Sequence, residues 1–156
     1  MRLSRPKIFI VLLLAGFLSA CSSGPRELLR EPLQIRLYGL EISDDELIVD
    51  LAVRNINDLP RQLDRIDLEL SVDSHVLVAT EDFPNLDISA RSREILRLTT
   101  QAKPDGLQRL RALGQGETAR LPWSIEAIVE VDEKRSRPVK SSGWIYRSPG
   151  QPNRFR

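Results

Sequence analysis

From Leu33 onward, apolar residues recur on every second position. Leu33, Ile35 and Leu37 share one parity, with Gln34 and Arg36 between them, and Tyr38 and Leu40 follow. Leu47, Val49, Leu51 and Val53 repeat the pattern against Ile48, Asp50, Ala52 and Arg54. Successive side chains of an extended backbone leave opposite faces, so a two-residue period predicts half-buried strands. The cleanest is Ile66, Leu68, Leu70 and Val72, alternating with Arg65, Asp67, Glu69 and Ser71, and 76–79 follows after a short turn. Further strands are predicted around 93–100, over 123–131 and over 142–146. Asn57-Asp58-Leu59-Pro60 reads as a turn, 132–135 as an exposed hairpin connection, and Pro149-Gly150-Gln151-Pro152 as the end of the last strand.

One segment departs from this period. Leu107, Leu110 and Leu113 are spaced three apart behind Pro104-Asp105-Gly106, with Gly114 as the stop. That spacing predicts a helix of two or three turns, too short to stand alone and expected across one end or edge of a sheet. About seven strands and one small helix predict a mainly antiparallel β architecture. Two sheets packed together would shelter the apolar sides as a sandwich, although a closed barrel has the same pattern. With few aromatic girdle residues, an outer-membrane barrel is disfavoured.

The start of the chain follows different rules. Arg2, Arg5 and Lys7 precede an apolar run over 8–18 with no acidic residue, the pattern of a secretory signal. A spanning helix needs about 20 apolar residues, and this run is much shorter. The run ends in Leu18-Ser19-Ala20-Cys21, which resembles the lipobox of bacterial lipoproteins. The resemblance implies a diacylglyceryl group on the Cys21 sulfur, cleavage between Ala20 and Cys21, and usually acylation of the new amino group. Two or three acyl chains hold a protein firmly where one does not. Ser22, in place of Asp, implies the outer membrane in enteric-type bacteria, with the domain facing the periplasm. Residues 1–20 are then a signal peptide, 21–32 the lipidated N-terminus and tether, and 33–156 the domain. Leu28 and Leu29 are candidates to dock on that domain.

Cys21 is the only cysteine, so the processed chain would carry no disulfide. Three of the 23 basic residues lie in the signal, which leaves the remainder near neutral against 22 acidic residues. Such a balance gives no electrostatic case for nucleic acid.

The order of landmarks is informative as a set. A lipoprotein signal and an amphipathic strand precede Leu51-Ala52-Val53-Arg54-Asn55-Ile56-Asn57; then come the 63–72 segment, the helix, the 123–131 strand and the tail 149–156. In this order the chain resembles the type 2 late embryogenesis abundant proteins, with their water stress and hypersensitive response domain. Asn55 and Asn57 match the two asparagines of the family's Asn-Pro-Asn motif, and Ile56 stands where proline is usual. The resemblance implies an immunoglobulin-like or fibronectin-like β-sandwich with a small helix. It also implies a role in desiccation and other stress, and no catalytic residue set.

A search for chemistry in the sequence adds little. His75, the only histidine, follows Asp73-Ser74 in an expected hairpin turn, which suits local hydrogen bonding better than a ligand contact. Asp44-Asp45-Glu46 lacks the spacing of a calcium loop and suits an exposed turn. Asn55 and Asn57 suit backbone satisfaction at a strand end, with a polar binding surface as the alternative. Trp123 and Trp144 are expected in the core or at a sandwich edge. No nucleophile–base arrangement, metal site or cofactor motif is visible. Two functions fit: a non-catalytic protective or interaction domain, with the membrane and client proteins as partners, or an accessory lipoprotein that binds a ligand or an envelope protein.

Overall fold

The computed structural model describes residues 31–43, 46–135 and 138–156. The signal, Cys21, Leu28, Leu29, Asp44 and Asp45 lie outside the described residues. In chain order the elements are β1 (Gln34–Ser43), β2 (Glu46–Arg54), β3 (Arg61–Val72), β4 (His75–Asp82), β5 (Leu86–Ile88) and β6 (Arg93–Thr100). Helix α1 (Pro104–Gln115) comes next. It is followed by β7 (Leu121–Val131), β8 (Lys134–Arg135), β9 (Val139–Ile145), β10 (Arg147–Ser148) and β11 (Gln151–Phe155).

The seven longest strands are those the alternation predicts. All the pairings are antiparallel, and they form two sheets. The first has the order β10-β11-β1-β2-β6. In the second, β3 and β7 are central: β4 and β5 pair with one side of β3, and β8 and β9 with the far side of β7. The sheets face each other across one core. Val49, Leu51 and Val53 come from the first, and Leu68, Leu70, Ile125 and Val129 from the second. Each fully buried aliphatic side chain there contributes about 2 kcal/mol of transfer free energy.

Bulges let strands keep their apolar side inward where the spacing is odd. Leu63 and Ile66 are both buried although three residues apart, and the register shifts between Leu63 and Arg65. Ile35 and Leu40 are reconciled by a shift between Leu37 and Gly39. An extra residue on one strand reverses parity once, which a strict two-residue period would otherwise forbid.

Two expectations are corrected. Gly114 does not stop the helix; it is buried inside the last turn, and a Cβ there would lie 2.6 Å from the Pro152 carbonyl oxygen. The stop is Gly116, left-handed at φ 84°, where the backbone N–H groups at the helix end reach the Ala112 and Leu113 carbonyls. Likewise, Pro149-Gly150 does not end the sheet. It turns the chain at Gly150 (φ 72°) so that β10 and β11 pair. The 132–135 connection is tighter than expected: Asp132 and Glu133 form the turn, and β8 already pairs with β7.

Candidate functional site

The end of β2 carries a buried polar cluster. Asn55 and Asn57 follow the last strand residue, Arg54, and both are fully buried. Buried amides are tolerated only when their donors and acceptors are met, and here they are. Asn55 Nδ2 donates to the carbonyls of Leu59, Ile88 and Ser89, at 2.9, 3.1 and 3.0 Å. Its Oδ1 accepts from the backbone N–H of Asn57 at 2.9 Å and from Asn57 Nδ2 at 2.8 Å. One amide therefore ties the end of β2 to the strand-ending loop and to the segment after β5.

Asn57 turns the other way. Its Oδ1 accepts the backbone N–H of Glu31 at 2.6 Å, and its Nδ2 donates to the Glu31 carbonyl at 2.9 Å. Both main-chain groups of Glu31 are held as a neighbouring strand would hold them. Glu31 thus enters the domain at a fixed point, beside the start of β1.

An open groove of about 450 Å³ begins at this junction. Glu31 to Arg36 form one wall, Pro138 to Ser142 the other, and Ile56 lies at one end. The groove exists because β11 meets β1 only at Leu40 and Glu41. Residues 34–37 therefore have β2 on one side and no strand of their own sheet on the other among the described residues. β9 pairs with β7 along one edge only. Ser141 Oγ is buried beside the groove without a hydrogen-bond partner among the described residues.

The other sequence candidates lie apart from this junction. His75 opens β4 behind the Asp73-Ser74 turn, whose residues both have positive φ, and its Nδ1 lies 2.6 Å from the Asp73 carbonyl. Trp123 is buried in β7. Trp144 is not in the core: it is 49% exposed, with the Arg120 guanidinium 4.0 Å from its ring centroid. Glu46 is exposed at the start of β2. Among the described residues, no group of three or more His, Cys, Asp or Glu side chains is placed to hold a metal ion. None of the described helices is long and apolar enough to cross a membrane. Sequence reasoning missed the engagement of Glu31 and the groove. The first depends on a contact 26 residues away, and the second on a gap between strands.

No family model and no curated protein matches the chain. Solved structures do. A protein from Arabidopsis thaliana, determined in solution, matches 83% of this chain and 90% of its own at 13% identity, with a TM-score of 0.56. A crystal structure of a protein from Archaeoglobus fulgidus covers 75% of this chain and 98% of its own at 11% identity and a TM-score of 0.44. The solution structure of a candidate late embryogenesis abundant protein covers 94% of this chain and 88% of its own at 10% identity and 0.46. What the chain shares with the Arabidopsis protein is a fold: two antiparallel sheets with one short helix.

Proposed function

We propose that the chain is a non-catalytic, lipid-anchored domain of a bacterial cell envelope that acts by binding, in protection against desiccation and related stress. Cys21 carries the lipid, and the outer membrane, on its periplasmic side, is the site of action. The observation that carries this reading is the grip of Asn57 on Glu31. A tethered domain needs a defined point where the tether stops and the fold begins, and Glu31 is ten residues after Cys21. Ten residues reach at most about 35 Å, so the domain stays close to the bilayer. The order of landmarks that resembles the type 2 late embryogenesis abundant proteins supports the protective role.

Two measurements test it together. Metabolic labelling with palmitate should mark the wild-type chain and leave Cys21→Ala unmarked. A labile enzyme dried beside the native protein should retain more activity than one dried beside an equal mass of an unrelated protein. Equal losses would remove the protective role, and an unlabelled wild-type chain would remove the anchor.

The groove favours a second reading, an accessory lipoprotein that takes a partner's strand. Two strand edges facing an open channel offer main-chain donors and acceptors for β-augmentation. Crosslinking in intact envelopes should then capture one stoichiometric partner through residues 34–36 or 139–142; diffuse contacts would reject this reading.

A further inference from the structure

The two outward faces of the sandwich carry opposite charge. On the first sheet, Gln34, Arg54 and Arg93 form one cross-strand row, and Arg36, Ala52 and Ile95 form the next. Arg36, Arg54 and Arg93 are exposed, and none of them has a carboxylate partner among the described residues. Of the strand carboxylates on this face, Glu46 is exposed at the far end of β2 from Arg54, and Asp50 and Glu41 are paired. Asp50 holds Arg97 through two hydrogen bonds of 2.8 and 2.9 Å, and Glu41 faces Arg154 at 3.6 Å. Asp50 also raises the Arg97 pKa, through the hydrogen bond first and its charge second.

On the second sheet the outward positions include Asp67, Glu69, Glu81, Glu126 and Glu130; Arg65 and Lys140 pair with Glu81 and Glu126, and Arg135 is the cross-strand partner of Glu130. Each face also sets like charges directly opposite one another: Arg54 against Arg93, and Glu69 against Glu126. Such pairs destabilise a sheet. Stability therefore gives no reason for this arrangement, whereas a charged partner does.

We propose that the outward face of the first sheet, centred on Arg36, Arg54 and Arg93, docks on an anionic bilayer surface. The proposal deepens the tethered reading and rests on it. The chain enters at Glu31, at the same end of the sheet as the Gln34–Arg54–Arg93 row, so an anchor of at most about 35 Å delivers this face to the lipid. The exposed residues between the arginines suit an interface. Tyr38 is 54% and Ile95 41% exposed, and the Arg93 guanidinium lies 5.9 Å from the Tyr38 ring centroid. An aromatic ring with a polar tip and long cationic stems both partition to the headgroup layer. Each arginine near an anionic surface raises affinity about fivefold. The acidic face then points away from the bilayer and fixes the orientation.

The test is chemical footprinting of the native, full-length protein reconstituted in vesicles, read by peptide mass spectrometry. An arginine-specific dicarbonyl reports Arg36, Arg54 and Arg93, and carbodiimide coupling reports Glu69 and Glu126. With about 30% phosphatidylglycerol in phosphatidylcholine, the three arginines should react about fivefold more slowly than in phosphatidylcholine alone, the two glutamates at unchanged rates. About 0.5 M salt should abolish the difference, because it shortens the screening length below the size of the face. Equal arginine rates on the two vesicles overturn the proposal. So does protection in detergent that grows with protein concentration, which assigns the face to a second copy, or protection by inorganic phosphate alone. The same spectra report the mass of the Cys21 peptide. A bare Cys21 with protected arginines removes the anchor and leaves the surface; a lipidated Cys21 with unprotected arginines removes the surface and leaves the anchor.

Discussion

The Asn55 side-chain oxygen accepts both the backbone and the side-chain N–H of Asn57, so two buried amides two residues apart act as one unit. Asn55 is the inner member, with its Nδ2 placed among three carbonyls. Replacing it by alanine leaves those carbonyls and the Asn57 donors without it, and a buried unsatisfied group costs about 1–3 kcal/mol. Asn55→Ala should therefore lose roughly 3 kcal/mol, a large part of a domain's usual stability of about 5–15 kcal/mol. Asn55→Asp should be worse at neutral pH, since it puts a carboxylate against carbonyl oxygens. Urea unfolding followed by tryptophan fluorescence checks the order; an aspartate variant as stable as wild type would show that the amide donor is dispensable.

Asn57→Ala should separate the junction from the fold. It removes the two hydrogen bonds to Glu31 but keeps Asn55 Nδ2 on its carbonyls. The expected loss is about 1–2 kcal/mol, smaller than for Asn55→Ala. The sharper readout is proteolysis. Arg30 immediately precedes the held residue, so trypsin should cut after Arg30 severalfold faster in the variant. An unchanged cutting rate would mean that Asn57 does not secure the chain at Glu31.

These asparagines were legible in the sequence as polar residues at a strand end, and the local bond between them follows from their spacing. Their long-range partners were not legible. Glu31, Ile88 and Ser89 come from distant segments, and only the folded sheet brings their carbonyls to one place. The charged faces were partly legible. Alternation places Arg36, Arg54 and Arg93 outward, but their convergence depends on strand order and on the β1–β2 and β2–β6 registers. The same limit applied to β11. Its Pro-Gly start signals a turn, and nothing local says that the tail returns to pair with β1.

Helix α1 offers a prediction whose sign opposes helix propensity. Glycine inside a helix is normally about 1 kcal/mol worse than alanine. Here a Cβ on Gly106 would lie 2.6 Å from the Leu77 Cα, and one on Gly114 the same distance from the Pro152 oxygen. Both contacts are with backbone, so α1 would have to move away from β4 or β11. Gly106→Ala and Gly114→Ala should each destabilise by about 1–3 kcal/mol. Gln108→Ala, on the exposed side of the same helix, should stay within about 0.5 kcal/mol of wild type. A rise in unfolding midpoint for either glycine variant would refute the close approach.

Phe155 makes the tail structural. Its side chain is fully buried, it is the cross-strand partner of Leu40, and its ring lies near Gly114 in the last turn of α1. It therefore joins the first sheet to the helix that also packs on β4. Phe155→Ala should cost roughly 3–5 kcal/mol, because it leaves a ring-sized cavity bounded by two elements that cannot both collapse into it. Arg156 is different: its backbone N–H and carbonyl pair with Tyr146 at 2.9 and 2.7 Å, while its side chain is exposed. Arg156→Ala keeps those main-chain bonds and should be nearly neutral, whereas deletion of Arg156 removes both and should cost about 1–2 kcal/mol. Unfolding midpoints of the three variants should therefore rank Arg156→Ala highest, the deletion next and Phe155→Ala lowest. If Phe155→Ala unfolds with the wild-type midpoint, the tail is not part of the core.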